Sequence, residues 1–350
     1  MADIVQDPPV EPHLMANQEE VAPCSVLDRL VEEGVIEAGA RSLAGCRLEE
    51  EDFSGLDLSH WDLTGASLER CDFTNARLNQ TLMKGASLGD SIFDGAQMQG
   101  AILEGADLSG ASLVRARMSQ ADLRAIEAYD ASFDGATMLA VRLDSANLEA
   151  ASLVGAQVVG ARLIGTNLRG ADLTDADLQL SHVKGACFDG CRVDGALMHS
   201  VHNYDKASWL GLDLRQVDFT GAYMLRSFIL DQNYLEEFRT TSPSHAAVYR
   251  LWKVSSDCGR SLVRWGIVTL GLVLSFAWML SLCDVDYGPH QTILSPLYMS
   301  VVTLTTLGYG DALPVSVAAQ MVVMAEVITG YMLLGGLLSI LSNKMARRAE

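Results

Sequence analysis

The stretch from Arg41 to Gln80 reads RSLAG CRLEE EDFSG LDLSH WDLTG ASLER CDFTN ARLNQ when it is divided into groups of five. The third residue of every group is Leu or Phe. A period of five matches neither the 3.6-residue turn of a helix nor the two-residue repeat of a strand. An ordinary helix or strand would scatter these apolar residues over all its faces, so we expect a repeating unit with a five-residue side.

The same spacing continues to Met198 and gives 32 consecutive groups, of which only the one centred on Ala128 lacks a large apolar centre. Two positions before the centre, the residue is usually Ala, as at Ala66 and Ala106. This A(D/N)LXX pattern resembles the pentapeptide-repeat family. The resemblance implies a right-handed quadrilateral β-helix over residues 41–229, with the central and the small residue of each side pointing inward. Eight coils would form a stiff rod of about 38 Å.

Two segments depart from the repeat. IEAYD at 126–130 has Ala128 at its centre and a large Ile where a small residue belongs, so we expect a bulge or kink in that coil. At 201–211 the register fails, with Asn203 and Ser208 at central positions, and it resumes one residue later at Leu214, Phe219 and Met224. We interpret this shift as a tolerated loop; a hinge between the rod and the C-terminal region is the alternative.

The chain before the array has a different composition. Residues 1–22 are acidic and proline-containing and have no apolar period, which predicts a disordered tail. Within 23–40 a capping helix is expected, with Ser25 as its N-cap and Gly39 after its end. Its apolar residues fall at helical spacing: Val26, Leu27, Leu30, Val31 and Val35. Such a helix would hide the exposed edge of the first coil.

The formal charge of -19 is unevenly distributed: residues 1–40 carry -8, residues 41–226 carry -10, and residues 227–350 carry -1. An acidic body argues against nucleic acid as a ligand, because phosphate binding needs Lys and Arg. The charge could attract cations toward a pore, or it could simply keep a solvated surface soluble. The seven cysteines contain no CxxC pair and are interpreted as reduced, packed thiols; a Cys187–Cys191 metal pair is the alternative, but it lacks further ligands.

Beyond the repeat, residues 230–264 form a linker. After Pro243, basic and aromatic residues alternate with apolar ones, which favours a helix at a membrane interface, with a plain connector as the alternative. Trp265 to Cys283 are 19 uncharged residues, enough for one outer spanning helix. Arg260 and Arg264 precede it and acidic residues follow it, so we expect a multi-pass protein of the cell (inner) membrane with both termini in the cytoplasm.

Residues 303–311 read TLTTLGYGD. A Thr-Leu-Gly-Tyr-Gly segment resembles the selectivity filter of tetrameric potassium channels, although the family usually has Val or Ile where Leu307 stands. The resemblance implies that four strands turn backbone carbonyls toward one axis and replace the water shell of K⁺. Thr305 and Asp311 would support the filter. It further implies a homotetramer in a lipid bilayer, with K⁺ as the permeant ion and no cofactor, and ion-binding residues Thr306, Leu307, Gly308, Tyr309 and Gly310.

The filter needs flanking helices. We expect residues 292–311 to re-enter the membrane as a short pore helix, about Ser295 to Leu304, followed by the filter, because irregular backbone at membrane depth survives only beside a water-filled path. An inner helix is expected at 315–343. Glu326 within it is interpreted either as a partner of the pore helix or as part of a cation-attracting cavity ring. Gly330, 19 residues after Asp311, stands where simple potassium channels commonly have their gating hinge, with Gly335 and Gly336 as alternative hinges or close-packing sites.

Together these features predict a two-transmembrane, one-pore-loop potassium channel, residues 265–350, fused to a cytoplasmic pentapeptide-repeat domain with a regulatory or assembly role and an unknown partner. One alternative is a membrane-tethered binding module, because acidic pentapeptide-repeat rods resemble DNA mimics that bind topoisomerases. The other is a weakly selective cation channel. We do not predict an enzyme: no nucleophile or metal set accompanies the neighbouring His182, His199, His202 and Asp205.

Overall fold

The computed structural model describes residues 26–35, 37–217, 219–220, 222–289 and 291–349, with the backbone alone for 343–349. The predicted tail at 1–22 and the predicted N-cap Ser25 lie outside the described residues. The chain divides into two compact units, Met1–Ala222 and Tyr223–Glu350, and each is described by itself.

Parallel β-bridges build the first unit by joining each side of a coil to the side 20 residues further along, beginning with Ser42 and Asp62. The Leu43 N–H donates to the Asp62 carbonyl at 2.7 Å, and the Asp62 N–H donates to the Arg41 carbonyl at 2.9 Å. At each corner a tight turn forms, as where the Cys46 N–H donates to the Leu43 carbonyl at 3.0 Å. Four five-residue sides per 20-residue coil make the four-sided β-helix that the sequence predicted, and the fold is confirmed.

The core of this unit is made of stacked ladders of identical positions. Central Leu and Phe side chains and the small residues two positions earlier are almost completely buried. Phe53 stacks on Phe73 with ring centroids 5.0 Å apart, and Phe73 stacks on Phe93 at 4.8 Å. Offset-stacked rings at such distances add to the free energy of simple burial, so each coil stabilises the next through like-on-like contacts.

The kink predicted at 126–130 is wrong. Ile126 and Ala128 are both fully buried, and the ladder passes through them in register, with the Ala128 N–H donating to the Asn147 carbonyl at 2.8 Å and the Glu127 N–H to the Ala106 carbonyl at 3.0 Å. The large side chain of Ile126 occupies the position that is usually small, and the small side chain of Ala128 occupies the centre. Total core volume is thereby conserved, which cores tolerate well.

The register shift near 203 is a one-residue insertion. A short 3₁₀ helix, Tyr204–Lys206, absorbs the extra residue, and pairing then continues with Cys187 bridged to Ser208. Trp209 takes the next central position and stacks on Phe188 with centroids 4.1 Å apart. The β-helix continues through this segment, in agreement with the loop interpretation.

Both predicted ends of the array are corrected by the structure. Helix α1, Val26–Glu32, is shorter than the helix predicted to reach Ala38, because Gly34 adopts a φ of 71°. There the Val35 N–H donates to the Leu30 carbonyl at 2.9 Å, a pattern that closes helices through a left-handed glycine. At the other end helix α2, Tyr223–Thr241, begins inside the range that the sequence assigned to the repeat.

The second unit is helical. After α2, helix α3 spans Pro243–Ser256, and a turn with left-handed Asp257 and Cys258 separates it from α4, Leu262–Ser281. Helix α5 spans Ser295–Leu304 and α6 spans Val317–Ala349. Two short antiparallel strands pair between α4 and α6: β1, Val285–Asp286, and β2, Leu313–Pro314.

These bounds compare with the prediction helix by helix. Helix α5 has the bounds that were predicted for a pore helix. Helix α4 begins and ends slightly earlier than the outer helix predicted at 265–283, and α6 lies further along than the inner helix predicted at 315–343. Two helices, α2 and α3, replace the single helix expected in the linker.

Two cysteines occupy small inward positions of the β-helix. The Sγ of Cys71 donates to the Leu48 carbonyl at 2.8 Å, and the Sγ of Cys191 donates to the Leu168 carbonyl at 2.8 Å. Burial raises the pKa of Cys71 to about 11 and that of Cys191 to about 12. Cys187 is half-buried at an outward position. A Cys187–Cys191 metal pair is not supported, since no group of three or more metal-ligating side chains occurs among the described residues.

The volume exchange at Ile126 and Ala128 can be tested by a double-mutant cycle. We expect Ile126→Ala to lower the free energy of unfolding by about 2–4 kcal/mol through a cavity, and Ala128→Leu to lower it by about 1–3 kcal/mol through overpacking. The double variant should recover most of the loss, because it restores the standard repeat. Denaturant unfolding of the four proteins measures this; additive losses would contradict the compensation.

The thiols allow a second prediction. At neutral pH, iodoacetamide should alkylate Cys187 in the folded protein much faster than Cys71 or Cys191, because only the thiolate reacts and burial disfavours it at both inward positions. Peptide mass spectrometry after timed alkylation measures the three rates. In denaturant the three cysteines should react at similar rates; fast labelling of Cys191 without denaturant would contradict its placement.

Candidate functional site

The candidate site is built around α5, which packs against α4 and α6. Val273 and Phe276 of α4 and Leu304 of α5 form its buried core. Partly buried apolar residues from all three helices surround that core: Leu272, Met279, Leu297, Val322 and Leu333. The short helix is therefore fixed by the two longer ones, and its C-terminus determines where the following irregular segment begins.

That segment starts with a sharp change of backbone direction. Thr305 ends α5, and its Oγ1 donates to the Val301 carbonyl at 2.6 Å. Thr306, Gly308 and Gly310 then adopt φ values of 59°, 53° and 76°. Glycine adopts such left-handed angles without steric cost, which explains both glycines. A β-branched residue rarely does so, and strained backbone of this kind clusters at functional sites.

The predicted filter strand makes almost no hydrogen bonds of its own. The carbonyl oxygens of Thr306, Leu307, Gly308 and Tyr309 accept none from the described residues. The side chains of Leu307 and Tyr309 are 58% and 67% exposed, so a single chain leaves both of them largely uncovered.

The far end of the strand is anchored. The Tyr298 hydroxyl of α5 donates to Oδ2 of Asp311 at 2.6 Å. Next to Asp311, β2 pairs with β1, and the Val315 N–H donates to the Asp284 carbonyl at 3.1 Å. Asp311, predicted as a supporting residue, is thus tied to the helix that precedes the filter. Sequence reasoning missed Tyr298, because no local pattern links residues 13 positions apart.

Glu326 of α6 is completely buried. Its Oε1 lies 2.5 Å from the Ser300 hydroxyl of α5. Of the two interpretations offered by the sequence, pairing with the pore helix is the one that the structure of a single chain supports. Ser300 itself was not singled out from the sequence, since a lone serine in an apolar helix carries no recognisable signal.

Gly330 lies four residues after Glu326, on the same face of α6. A Cβ built on it would overlap the Leu304 carbonyl, with the Leu304 carbonyl carbon only 3.1 Å away. Here α6 is a continuous helix. The glycine predicted as a gating hinge therefore lies against the end of α5 with no space for a Cβ, a packing role that the sequence analysis did not consider for it. At Gly335, a Cβ would meet nothing within 4 Å.

Comparisons with known proteins agree with this division. Residues 268–347 match the family model described as "Ion channel". Residues 52–90, 91–126 and 159–195 match the model for pentapeptide repeats. The chain joins a pentapeptide-repeat domain to an ion-channel domain. In the ion-channel domain, Leu262–Ser281 and Val317–Ser342 are long and apolar enough to cross a membrane.

One curated relative matches the chain over 63 residues at 38% identity: the two-pore potassium channel 1 of Arabidopsis thaliana. This match spans 17% of either protein. For the repeat domain, the solved structure of HetL from Nostoc sp. strain PCC 7120 is 24% identical, with a TM-score of 0.33, over 54% of this chain and 96% of HetL. QnrB1, a plasmid-mediated fluoroquinolone resistance protein, gives 17% identity, a TM-score of 0.33, and coverage of 52% and 95%. The fold assignment rests on the bridges within the chain itself.

The close approach at Gly330 yields a matched pair of variants. We expect Gly330→Ala to lower the thermal stability of the detergent-solubilised protein, because a Cβ must displace the Leu304 carbonyl. Gly335→Ala should leave stability unchanged or raise it by roughly 0.5–1 kcal/mol, since Ala is the better helix former. Equal melting temperatures for the two variants would show that the structure accommodates a Cβ at position 330 without cost.

Proposed function

We propose that four copies of this chain form a potassium-selective channel. The observation that carries the proposal is the segment Thr306–Gly310, which combines unbonded carbonyls with left-handed Gly308 and Gly310. It directly follows a short apolar helix and lies, along the chain, between two helices long enough to span a membrane. Backbone carbonyls without protein donors at membrane depth are tolerated only beside a water-filled path, where an ion can use them.

In the proposed tetramer, K⁺ exchanges its water shell for the carbonyls of Thr306, Leu307, Gly308 and Tyr309. Each site must bind weakly enough to release the ion to the next. The exposed side chains of Leu307 and Tyr309 would be covered by the pore helices of neighbouring copies, which accounts for the apolar surface that one chain leaves open. The chain would contribute no cofactor, and K⁺ is its transported ion.

We further propose that both termini face the cytoplasm. Arg260 and Arg264 precede or begin α4, whereas Asp284 and Asp286 follow it. Positive residues near a spanning helix favour the cytoplasmic side. With α5 re-entrant and α6 as the second span, the C-terminal basic residues return to that side, and the membrane is the cell (inner) membrane. Labelling of cysteines introduced singly at 286 and at 240 with an impermeant maleimide on intact cells tests this orientation.

The repeat domain is proposed to regulate or assemble the channel, because α2 and α3 are its covalent connection to the first span. Deletion of residues 1–222 distinguishes the two roles. A regulatory domain would change open probability or stimulus response while tetramers still form. An assembly domain would lower the yield of tetramers. No change in either quantity would leave the rod as a binding module for a separate cytoplasmic partner.

Potassium-dependent flux into liposomes that contain the purified protein tests the proposal. Selective, barium-sensitive flux supports it, and reversal potentials in mixed K⁺ and Na⁺ solutions decide between a selective filter and a weakly selective cation channel. A well-formed tetramer that conducts neither ion, with or without residues 1–222, would overturn the proposal.

A filter variant and a helix variant form a control pair. We expect Gly308→Ala to abolish K⁺ flux without preventing tetramer assembly, because a left-handed angle costs an L-residue about 1–2 kcal/mol at each of four strands. Gly271→Ala in α4, where a Cβ meets nothing within 4 Å of the same chain, should retain flux. Size-exclusion chromatography verifies assembly, and liposome flux measures conduction; full flux from Gly308→Ala would contradict the role of this residue.

A further inference from the structure

A hydrogen-bonded group of three residues joins the three helices of the ion-channel domain behind the filter. The Ser300 hydroxyl of α5 lies 2.5 Å from Oε1 of Glu326 in α6 and 3.0 Å from the carbonyl oxygen of Val273 in α4. Ser300 and Glu326 are both fully buried within one chain. Oε2 of Glu326 has no hydrogen-bond partner among the described residues.

The number of protons in this group limits its chemistry. A serine hydroxyl has one hydrogen, so Ser300 can donate to only one of its two neighbours. If it donates to the Val273 carbonyl, the short contact to Glu326 requires a hydrogen that only the carboxyl of Glu326 can supply. If Glu326 is ionised, Ser300 must donate to it instead, and the contact with α4 is lost.

The parts of α4, α5 and α6 that surround Glu326 provide no cation to compensate an ionised carboxylate. In α4 the only charged residue is Arg264, in its first turn, and α5 contains none. The one titratable group of α5 is Tyr298, whose hydroxyl bonds to Asp311. From Val317 to Ser342, α6 contains only Glu326 and Tyr331, whose side chain is 62% exposed. A buried carboxylate with a single donor and no opposite charge is strongly disfavoured relative to the neutral acid.

We propose that Glu326 acts as a protonated positioning residue, whose carboxyl proton completes a Glu326–Ser300–Val273 chain that holds α5, and with it the filter, in place. This inference rests on the proposed channel function for its effect on flux, but not for the state of the carboxyl itself. Removal of the proton at alkaline pH breaks the connection between α5 and either α4 or α6. Conduction should therefore fall as the pH rises, and should recover when the pH is lowered again.

Three variants separate the effect of the Glu326 carboxyl proton from the effect of side-chain packing. Glu326→Gln keeps the size of the side chain and an N–H donor for Ser300 but cannot ionise. Glu326→Leu keeps approximate volume and removes all hydrogen bonding, and Ser300→Ala removes the hydroxyl shared by the three helices. Asp284→Asn, at an exposed carboxylate outside the helices, is the control for a general charge effect.

The first measurement is infrared difference spectroscopy on the full-length protein in detergent. A protonated carboxylic acid has a C=O stretching band distinct from that of a carboxylate. We expect wild type and Asp284→Asn to show this band at neutral pH, and Glu326→Gln to lack it. A band that is absent from wild type, or that persists in Glu326→Gln, overturns the proposal whether or not the protein conducts.

The second measurement is K⁺ flux, with thermal unfolding of the tetramer as a parallel readout that does not need conduction. Wild type should lose flux and stability at alkaline pH, while Glu326→Gln should match wild type at neutral pH and stay constant as the pH rises. Glu326→Leu and Ser300→Ala should lower flux about tenfold or more at every pH, since each leaves a buried polar group unpaired. Identical pH profiles for wild type and Glu326→Gln in both readouts would show that the proton does not position α5.

Discussion

The need of every buried backbone N–H and C=O group for a partner governs both halves of this chain. In the repeat domain, most partners lie in the neighbouring coil, as in the bond from the Leu43 N–H to the Asp62 carbonyl, and tight turns within a coil supply others, as in the bond from the Cys46 N–H to the Leu43 carbonyl. In the ion-channel domain, the helices satisfy most of their own backbone groups, whereas the carbonyls of Thr306–Tyr309, in the segment between α5 and α6, have no protein donor among the described residues. Pairing between coils stabilises the first domain. The candidate function of the second rests on a segment whose carbonyls lack a protein donor.

Backbone pairing also explains why the β-helix tolerates irregular side chains. The ladder sets the register, so the core has only to be filled. Ile126 and Ala128 exchange large and small positions without disturbing the bridges around them, and the extra residue near 203 is absorbed by a short helix before Trp209 re-enters the core. A core whose register came from side-chain fit alone would have responded to both departures with a bend. The expected kink failed for this reason.

Sequence periodicity predicted the repeated features of the fold, but little of its non-repeated boundaries and contacts. The five-residue period predicted the coil, its sides and its core, and the TLTTLGYGD motif predicted a short helix and an irregular segment between two long apolar helices. The ends of the helices and of the repeat were not predicted correctly, because they depend on single residues. Gly34 ends α1 early, and α2 starts where the repeat pattern seemed to resume at Met224. The side-chain contacts within the ion-channel domain were not predicted for another reason. Tyr298–Asp311 and Ser300–Glu326 join residues far apart in sequence, and one sequence alone contains no signal that links such pairs.

Two contacts between α5 and α6 together restrict how α6 can move. Ser300 and Leu304 are one turn apart on α5, and they meet Glu326 and Gly330, one turn apart on α6. Residues four apart share a helix face, so the two helices touch along a single ridge. Leu304 is the last residue before Thr305 and the left-handed Thr306. In the proposed channel, a bend of α6 at Gly330 would separate α6 from Leu304, which precedes the proposed filter, so motion of α6 would act on that segment directly at this contact.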